Sequence, residues 1–348
     1  MLRIGAHMSV AGGISKAVDR AEAHGCEALQ LFTKNGNRWL GTPLDPDDVK
    51  RFRARIEETA IRPAVSHASY LINLATTFEG LRRQSIDAFI DEIDRAEALG
   101  LLGVVIHPGT CTAGSEEEGL RLIAAGIGEA LAARRASSTM VLLEHTAGQG
   151  RTLGYRFEHL AAIVEHLDGS PRVGVCLDTC HLLASGYDIV TEAGYRETFE
   201  AFDRLVGIGR LKVFHANDSK KPCASRVDRH EHIGRGCLGE APFARLLHDA
   251  RFHGLPLLIE TEKSPAPSRA GTIAVDPLDV QNLDTLRRLR ASPVPSPGRD
   301  HGVAGGAGEP CEKAARGRGC AVRRRARHHD VGLHVGGEHA AEGRTLHR

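Results

Sequence analysis

The sequence lacks the features that mark membrane, secreted and disulfide-bonded proteins. In its 348 residues no run approaches the ~18 consecutive apolar residues of a transmembrane helix. The first residues, MLRIGAHMSV, contain no basic segment followed by a long apolar one, as a secretory signal does. Eight cysteines in a long chain without such a signal do not indicate a disulfide framework. We therefore expect a cytoplasmic protein that does not contact a membrane.

The chain also has no excess of positive charge in its main part. Residues 1–291 contain 35 Lys and Arg against 38 Asp and Glu, whereas residues 292–348 contain 10 against 6. A basic footprint is the usual sign of nucleic-acid binding, and the main part does not show one. No G-x-G-x-x-G motif opens the first helical segment, which weakens a dinucleotide-binding interpretation. Histidine is abundant instead, with 19 residues, and this favours metal or acid–base chemistry.

The composition changes after Ala291. Residues 292–348 contain no Phe, Tyr, Trp, Ile or Met, but 11 glycines and the basic run Arg323–Arg327. Such a segment buries too little apolar surface to offset the entropy lost on ordering. We therefore predict one domain over residues 1–291, followed by a disordered basic tail. The tail is either a passive extension or a basic arm that adds nonspecific phosphate affinity.

Short β-like runs alternate with helical patterns along residues 1–291. The runs are rich in Val, Ile and Leu and nearly continuous in apolar character, which is typical of strands buried on both faces. They are Arg3–Met8, Ala28–Phe32, Pro63–His67, Gly103–His107, Met140–Glu144, Arg172–Asp178, Leu211–His215 and Leu255–Glu260. The helical patterns are Ile14–His24, Phe78–Leu99, Glu116–Arg135, Phe157–Leu167, Glu192–Val206 and Pro242–His253. This alternation predicts a (β/α)8 TIM barrel rather than an open doubly wound sheet.

Six consecutive runs end in a histidine or a carboxylate. These residues are His67, His107, Glu144, Asp178, His215 and Glu260. The carboxyl ends of the strands of a parallel barrel converge on one face, where active sites lie. Burying that many polar groups without partners would cost several kcal/mol each, and metal coordination offsets this cost. The pattern therefore predicts a metal centre at this face.

Two further pairs of candidate ligands lie just past the strands. The segment Asp178-Thr179-Cys180-His181 adds His181, and the segment Asp228-Arg229-His230 adds a carboxylate and an imidazole in one loop. The full set of five His, two Asp and two Glu is too large for one four-coordinate zinc and suits two or three ions. Imidazole and carboxylate ligands together favour zinc, manganese or iron over magnesium. Glu144 is a candidate to bridge two ions, and a water shared between them is a hydroxide near neutral pH.

At this point the sequence resembles the endonuclease IV family of zinc-dependent abasic-site endonucleases. The matching stretches are IGAHMSVAGG (4–13), LFTKN (31–35), SHASYLINLA (66–75), IHPGT (106–110), LLEHTAGQG (142–150), VCLDTCHLLASGYD (175–188), FHANDSK (214–220), SRVDRHEHIG (225–234) and LLIET (257–261). They follow the order of the family over nearly all of residues 1–290. The combination of DTCH with SRVDRH is highly specific, whereas GAH alone is weak.

The resemblance implies three Zn²⁺ ions per chain. The implied ligands are His67 and His107 for the first ion, Glu144 as the bridge to the second, Asp178, His215 and Glu260 to complete the second, and His181, Asp228 and His230 for the third. On the family mechanism, a hydroxide held between the first two ions attacks phosphorus, and the third ion stabilises the leaving oxygen. Glu144 is then the central catalytic residue.

The resemblance also implies a reaction on double-stranded DNA. The family incises 5′ to an abasic site, leaving a 3′-hydroxyl and a 5′-deoxyribose phosphate, and it also removes 3′-blocking groups. Tyr70 and Leu71 match residues that enter the duplex near the lesion, where extruding a nucleotide costs a few kcal/mol. Asn37 stands where the family often has an intercalating Arg, so Arg38 is the candidate to replace it. Lys220 is a candidate phosphate contact, and the family precedent implies a monomer.

Two other functions fit part of this pattern. A sugar isomerase or epimerase of the same barrel type also carries Glu, Asp and His at strand ends, usually for one or two ions. The trio His181, Asp228 and His230 and the loop with Tyr70 and Leu71 favour the nuclease. A noncatalytic damage-binding module would require a broken metal set, and none of the nine positions is broken. The charge of the main part does not exclude DNA, since three Zn²⁺ ions would change it from −3 to about +3.

Overall fold

Eight parallel strands close into a barrel, which confirms the predicted fold class. The structure, a computed structural model, describes residues 1–264 and 273–292. Its strands are β1 Arg3–Met8, β2 Ala28–Leu31, β3 Ala64–His67, β4 Gly103–Ile106, β5 Met140–Glu144, β6 Val173–Asp178, β7 Leu211–His215, β8 Asp218–Ser219, β9 His230–Glu231 and β10 Pro256–Ile259. The barrel order is β1-β10-β7-β6-β5-β4-β3-β2, and β8 pairs with β9 in a separate antiparallel ladder. No end of a barrel strand differs from its predicted position by more than one residue.

Helices cover the outside of the barrel. In the described residues the α-helices are α1 Lys16–Ala23, α2 Pro46–Thr59, α3 Glu79–Leu99, α4 Glu116–Ala133, α5 Phe157–His166, α6 Thr179–Ser185, α7 Glu192–Leu205, α8 Ala241–His248 and α9 Pro277–Ala291. The helices α2, α6 and α9 are additions to the predicted set. Helix α2 buries only Asp48 and Phe52, so it lacks the apolar stripe by which helices are recognised in a sequence. Its start is set by Asp45, whose side chain accepts the Asp47 N–H, with Pro46 in the first turn.

One buried side chain from each of seven barrel strands fills the middle of the barrel. This apolar ring consists of Ala28, Val65, Val105, Leu142, Cys176, Val213 and Leu258. On β1 the position in register with Ala28 is Gly5, where a Cβ would lie 2.1 Å from the Ala28 carbonyl oxygen, so only glycine fits. Because side chains alternate along a strand, the residue two positions further on each strand faces the interior again, one layer nearer the carboxyl end. The apolar ring is therefore the floor on which the next layer stands.

The described part of the chain contains no helix that is both long and apolar enough to cross a bilayer. Its last helix, α9, ends at Ala291, where the sequence places the end of the domain. The disordered tail predicted for residues 292–348 lies outside the described residues, apart from Ser292.

Candidate metal centre

The layer above the apolar ring is polar on every barrel strand. Each residue of this layer lies two positions after Gly5 or after a residue of the apolar ring. In chain order the residues are His7, Gln30, His67, His107, Glu144, Asp178, His215 and Glu260. Six of these residues are the strand-end ligands predicted from the sequence, and two, His7 and Gln30, are not. Strand alternation thus gathers eight polar side chains at the mouth of the barrel.

The predicted ligands meet in three clusters. Within each group of candidate ligands, one donor atom per residue lies within 4.8 Å of the others. The first cluster is His67, His107 and Glu144, and the second is Glu144, Asp178, His215 and Glu260. Two further groups, Asp178 with His181 and His230, and Cys180 with Asp228 and His230, share His230. Because Asp228 also lies 3.2 Å from His181 Nε2, we treat His181, Asp228 and His230 as the third cluster, with Asp178 and Cys180 at its edge. The structure therefore brings all nine predicted residues together.

Glu144 belongs to two clusters because its two oxygens face opposite ways. Oε2 lies 3.1 Å from His67 Nε2 and 3.2 Å from His107 Nε2, whereas Oε1 lies 3.2 Å from His215 Nδ1. Burial alone would raise the pKa of this carboxyl, but the charges of His107 and His215 hold that pKa well below its usual range. A buried, ionised carboxylate with separate partners on each oxygen is suited to bridge two cations.

Four histidines are anchored through one ring nitrogen, which leaves the other nitrogen free to bind an ion. The pairs are His67 Nδ1 with the Ala68 carbonyl oxygen at 2.8 Å, His181 Nδ1 with the His145 carbonyl oxygen at 2.9 Å, His215 Nε2 with Gln30 Oε1 at 2.9 Å, and His230 Nδ1 with the Glu260 carbonyl oxygen at 3.5 Å. A neutral imidazole that donates its outer N–H presents a lone pair on its inner nitrogen. This is the arrangement in which histidine binds a metal.

Two inner nitrogens test whether the clusters fit a metal ion. His181 Nε2 and His230 Nε2 are buried and have no hydrogen-bond partner among the described residues. They lie 3.2 and 3.3 Å from oxygens of Asp228, but the geometry of these two contacts is not that of a hydrogen bond. Donor atoms that converge on a common point, rather than on each other, are arranged as ligands around an ion. Imidazole and carboxylate donors are ligands that zinc accepts, so the residues present fit this metal.

The electrostatics of the third cluster also favour a cation. Burial would lower the pKa of His181, but the charge of Asp178 and the contacts with Asp228 and Glu144 raise it well above its usual value. Burial would raise the pKa of Asp228, but His181 and His230 lower it below its usual range. The Asp228 carboxylate is therefore ionised and stabilises positive charge among these side chains.

A short helix and a loop build the third cluster. Asp178 ends β6 and caps α6, because its Oδ1 accepts the His181 backbone N–H at 3.0 Å. His181 is thereby held in the first turn of the helix, beside the strand end. The Asp228 N–H donates to Gln149 Oε1 at 3.0 Å, which joins its loop to the loop after β5. His230 lies on β9 and is fixed by the ladder with β8.

Gln30 is a residue that the sequence analysis missed. Its Nε2 donates to Glu260 Oε1 and lies 3.0 Å from His7 Nδ1, and its Oε1 accepts from His215 Nε2. The carboxylate neighbour fixes the orientation of the amide, since only the NH₂ group can donate to it. Gln30 therefore holds two members of the second cluster. The available signal was that Gln30 is the one polar residue in the buried strand Ala28–Leu31.

Asn217 is a second residue that the sequence analysis missed. Its amide donates to Asp178 Oδ2 at 2.7 Å, and its side-chain carbonyl accepts the Glu260 backbone N–H at 3.0 Å. The Thr179 hydroxyl also donates to the backbone carbonyl oxygen of Asn217 at 2.6 Å. Asn217 thus joins the ends of β6, β7 and β10 beneath the second cluster.

Tyr70 and Leu71, which are predicted to enter DNA, lie on the loop after β3 at the same face. Tyr70 is 61% exposed, and its ring centre lies 5.4 Å from that of His67 and 5.6 Å from that of Phe32. The ring therefore stands on the rim of the candidate metal centre rather than beneath it. Leu71 is half-buried.

The other predicted DNA contacts lie on neighbouring loops. Asn37 and Arg38 are on the loop after β2, where Asn35 accepts both of their backbone N–H groups. Lys220 is exposed after β8, with its Nζ 3.6 Å from a Glu262 oxygen. All of these positions are accessible to a large ligand, and their contacts with DNA stay a prediction.

Known proteins are similar to this chain in sequence and in fold. Residues 18–281 match the family described as a xylose isomerase-like TIM barrel. A protein of Chloroflexus aurantiacus named probable endonuclease 4 is 49% identical over 289 residues, which cover 83% of this chain and 98% of the relative.

Solved structures give a consistent result. The crystal structure of endonuclease IV from Thermus thermophilus has a TM-score of 0.72 and 36% identity, covering 82% of this chain and 98% of that one. A D-tagatose 3-epimerase-like protein has a TM-score of 0.62 at 19% identity, covering 83% and 97% of the two chains. The second likeness shows the fold alone.

Proposed function

The chain belongs to the endonuclease IV family, and we propose that it is a DNA-repair enzyme that hydrolyses the phosphodiester 5′ to an abasic site in double-stranded DNA. The products of this reaction are a 3′-hydroxyl and a 5′-deoxyribose phosphate. The proposal includes the removal of 3′-phosphate and other 3′-blocking groups, because hydrolysis on the 5′ side of the block also frees a 3′-hydroxyl. It also includes a monomeric state, which sedimentation analysis tests.

The observation that carries this proposal is the set of three donor clusters within one polar layer. Five imidazoles and four carboxylates are too many for a single ion, and Glu144 is common to the first two clusters. We therefore assign one Zn²⁺ ion to each cluster. Zinc ions held in this way supply Lewis acidity toward a phosphodiester and activate water at neutral pH.

Side chains around the clusters would position these ions, and the apolar ring excludes water from the barrel interior beneath them. Glu144 fixes the separation of the first two clusters, while Gln30 orients His215 and Glu260. The apolar ring closes the barrel beneath the site, so the charges act in a medium of lower dielectric than water. Electrostatic stabilisation of the transferring phosphoryl group is stronger there than at an open surface.

Tyr70 connects the metal clusters to recognition of the lesion. Its ring stands beside His67 of the first cluster. A duplex that places a phosphodiester over this cluster brings the neighbouring nucleotide against Tyr70 and Leu71. An abasic nucleotide leaves a gap in the base stack, and inserted side chains fill that gap at less unstacking cost than in intact DNA.

The third cluster argues against a sugar isomerase or epimerase. Proton or hydride transfer on a small sugar needs one or two ions. The buried His181 and the half-buried Asp228 and His230 would then have no role, and the buried, unpartnered Nε2 atoms of the two histidines would be costly.

Incision of a duplex that carries one tetrahydrofuran abasic analogue tests the proposal. The reaction contains EDTA and no added Mg²⁺, so only tightly held metal contributes. We expect cleavage 5′ to the analogue and a 3′ end that a DNA polymerase extends, with the intact duplex left uncut. If the zinc-reconstituted protein leaves the duplex uncut but epimerises a ketose, the nuclease assignment is wrong and the barrel acts on sugars.

A further inference from the structure

A buried charged network lies behind the loops that face the proposed DNA site. The side chains of Lys34 and Glu92 are each only 1% exposed, and Lys34 Nζ lies 3.3 Å from Glu92 Oε1 and 2.7 Å from Asp91 Oδ2. Lys34 follows β2, whereas both carboxylates lie on α3. In the described part of the chain these side chains make no contact with the metal clusters, so the proposed hydrolysis does not use them directly.

The Glu92 carboxylate joins two loops. Its Oε2 accepts the Thr33 hydroxyl at 2.9 Å, from the loop after β2, and its Oε1 accepts the Ser69 backbone N–H at 3.1 Å, from the loop after β3. The two loops also bond to each other, because the Ser69 hydroxyl and the Tyr70 N–H both donate to the Gly36 carbonyl oxygen, at 2.6 and 3.2 Å. The Glu92 carboxylate, together with these two direct bonds, therefore fixes the loop after β2 relative to the loop that carries Tyr70.

Stability alone does not explain this network. Removing charges from water costs several kcal/mol per ion. A protein in which apolar side chains of similar volume replace a buried ion pair is often equally stable. Here the remaining hydrogen-bonding positions are used to hold backbone. Lys34 Nζ donates to the Ala88 carbonyl oxygen at 3.3 Å, and the Arg95 guanidinium donates to the carbonyl oxygens of Thr33 and Thr42, the latter at 2.8 Å. A buried polar network with its groups satisfied specifies one arrangement of the elements that it joins.

We propose that Glu92 is a positioning residue for lesion recognition, which holds the loop of Arg38 and the loop of Tyr70 at one fixed separation. The inference rests on the proposed function. Side chains that enter a duplex from two loops must arrive in register with one gap in the base stack. Loops that are already fixed lose little conformational freedom on binding, whereas loosened loops must be ordered at the expense of affinity. Loss of Glu92 should therefore weaken the preference for abasic DNA and leave hydrolysis of bound DNA intact.

The same helix offers a matched control for this residue. Glu97 of α3 accepts the Ser137 hydroxyl at 2.5 Å, the Thr139 hydroxyl at 2.7 Å and the Thr139 backbone N–H at 3.2 Å. Like Glu92, it accepts hydrogen bonds from a hydroxyl group and from a backbone N–H. These donors lie on the loop before β5, at the end of the barrel opposite the metal clusters. The variants are Glu92→Ala, Glu92→Gln and Glu97→Gln.

Each variant is assayed for zinc per chain, melting temperature, kcat and KM on the abasic duplex, and the ratio of affinities for abasic and intact duplex. For Glu92→Ala we expect KM to rise and the affinity ratio to fall by roughly 10-fold, with kcat and zinc content unchanged, because loosened loop side chains must be ordered on binding. Glu92→Gln keeps one acceptor oxygen, so its effect should be in the same direction and smaller. Glu97→Gln should match the wild type in KM and affinity ratio.

The base opposite the lesion gives a direct signal of positioning. With 2-aminopurine at that position, the fluorescence increase on binding should be lost in Glu92→Ala at saturating protein. If Glu92→Ala binds zinc and keeps the wild-type KM and affinity ratio, the inference is wrong. A parallel fall in kcat and zinc content would also overturn it, since that pattern marks a merely structural role.

Glu92→Gln decides the question if Glu92→Ala does not fold. A wild-type protein that shows no preference for abasic DNA would refute the proposed function before any substitution is made. Failure of the inference and failure of the proposed function are therefore separable.

Discussion

Replacing Glu144 by Gln removes the charge between the first two clusters while keeping the size of the side chain. One oxygen becomes an NH₂ group, which is a donor and has no lone pair for a cation. In the wild type the oxygens of Glu144 lie 3.1 to 3.3 Å from ring nitrogens of the first, second and third clusters. The substitution therefore weakens contacts with all three clusters. Removing one partner of a buried charged set costs ~3–5 kcal/mol.

If that loss falls on the transition state, the rate of incision should fall by about 10²- to 10⁴-fold. The affinity for abasic duplex should stay within about threefold of the wild type, because Tyr70 and the loops of the rim are untouched. Single-turnover incision measures the first quantity and fluorescence anisotropy the second. Glu129→Gln is a control, since that carboxylate lies on α4 and pairs with Arg83 on the outer surface. Near-normal turnover of Glu144→Gln would show that the two clusters do not act through a shared carboxylate.

Three further changes test other parts of the account. Tyr70→Ala should raise KM or lower lesion preference and leave zinc content unchanged, and loss of zinc from this variant would show that the ring is structural rather than a DNA contact. Gln30→Ala frees His215 Nε2 and should weaken zinc retention against a competing chelator by ~10- to 100-fold; unchanged retention would show that the amide does not support the second cluster. At the opposite end of the barrel, burial opposes ionisation of Glu27, but its bonds to Arg290 and to a backbone N–H lower its pKa, so its stabilising contribution is present near neutral pH and lost as the pH falls through that lowered pKa. The melting temperature of Glu27→Gln should therefore lie below that of the wild type near neutral pH and converge with it in acid, and a constant difference across this range would contradict the assignment.

The barrel and the placement of the candidate ligands at its mouth could be predicted because both depend on short-range patterns. Parallel strands buried on two faces are short apolar runs, and the polar residue that ends each run is easy to recognise. His67, His107 and Glu144 are examples, each two positions beyond a residue of the apolar ring. The geometry of a parallel barrel then brings these ends together without any long-range information.

The supporting residues could not be predicted in the same way. Gln30 and Asn217 act through partners far away in sequence, so neither residue has a local pattern that reveals its role. His7 lies in the same polar layer, but its strand continues to Met8, so it does not end a predicted run. The strand alternation that places His7 in that layer could have identified it. Helix α2 was missed for a different reason, since most of its side chains are polar and solvated.

The central claim is that three zinc ions occupy the three clusters. Anomalous diffraction above and below the zinc absorption edge, from crystals of the protein purified without chelator, measures this directly. We expect three peaks, with Glu144 bound to two of the ions and His181, Asp228 and His230 bound to the third. A single peak within Glu144, Asp178, His215 and Glu260, persisting after zinc is added, would contradict the account and favour a one-ion enzyme acting on sugars.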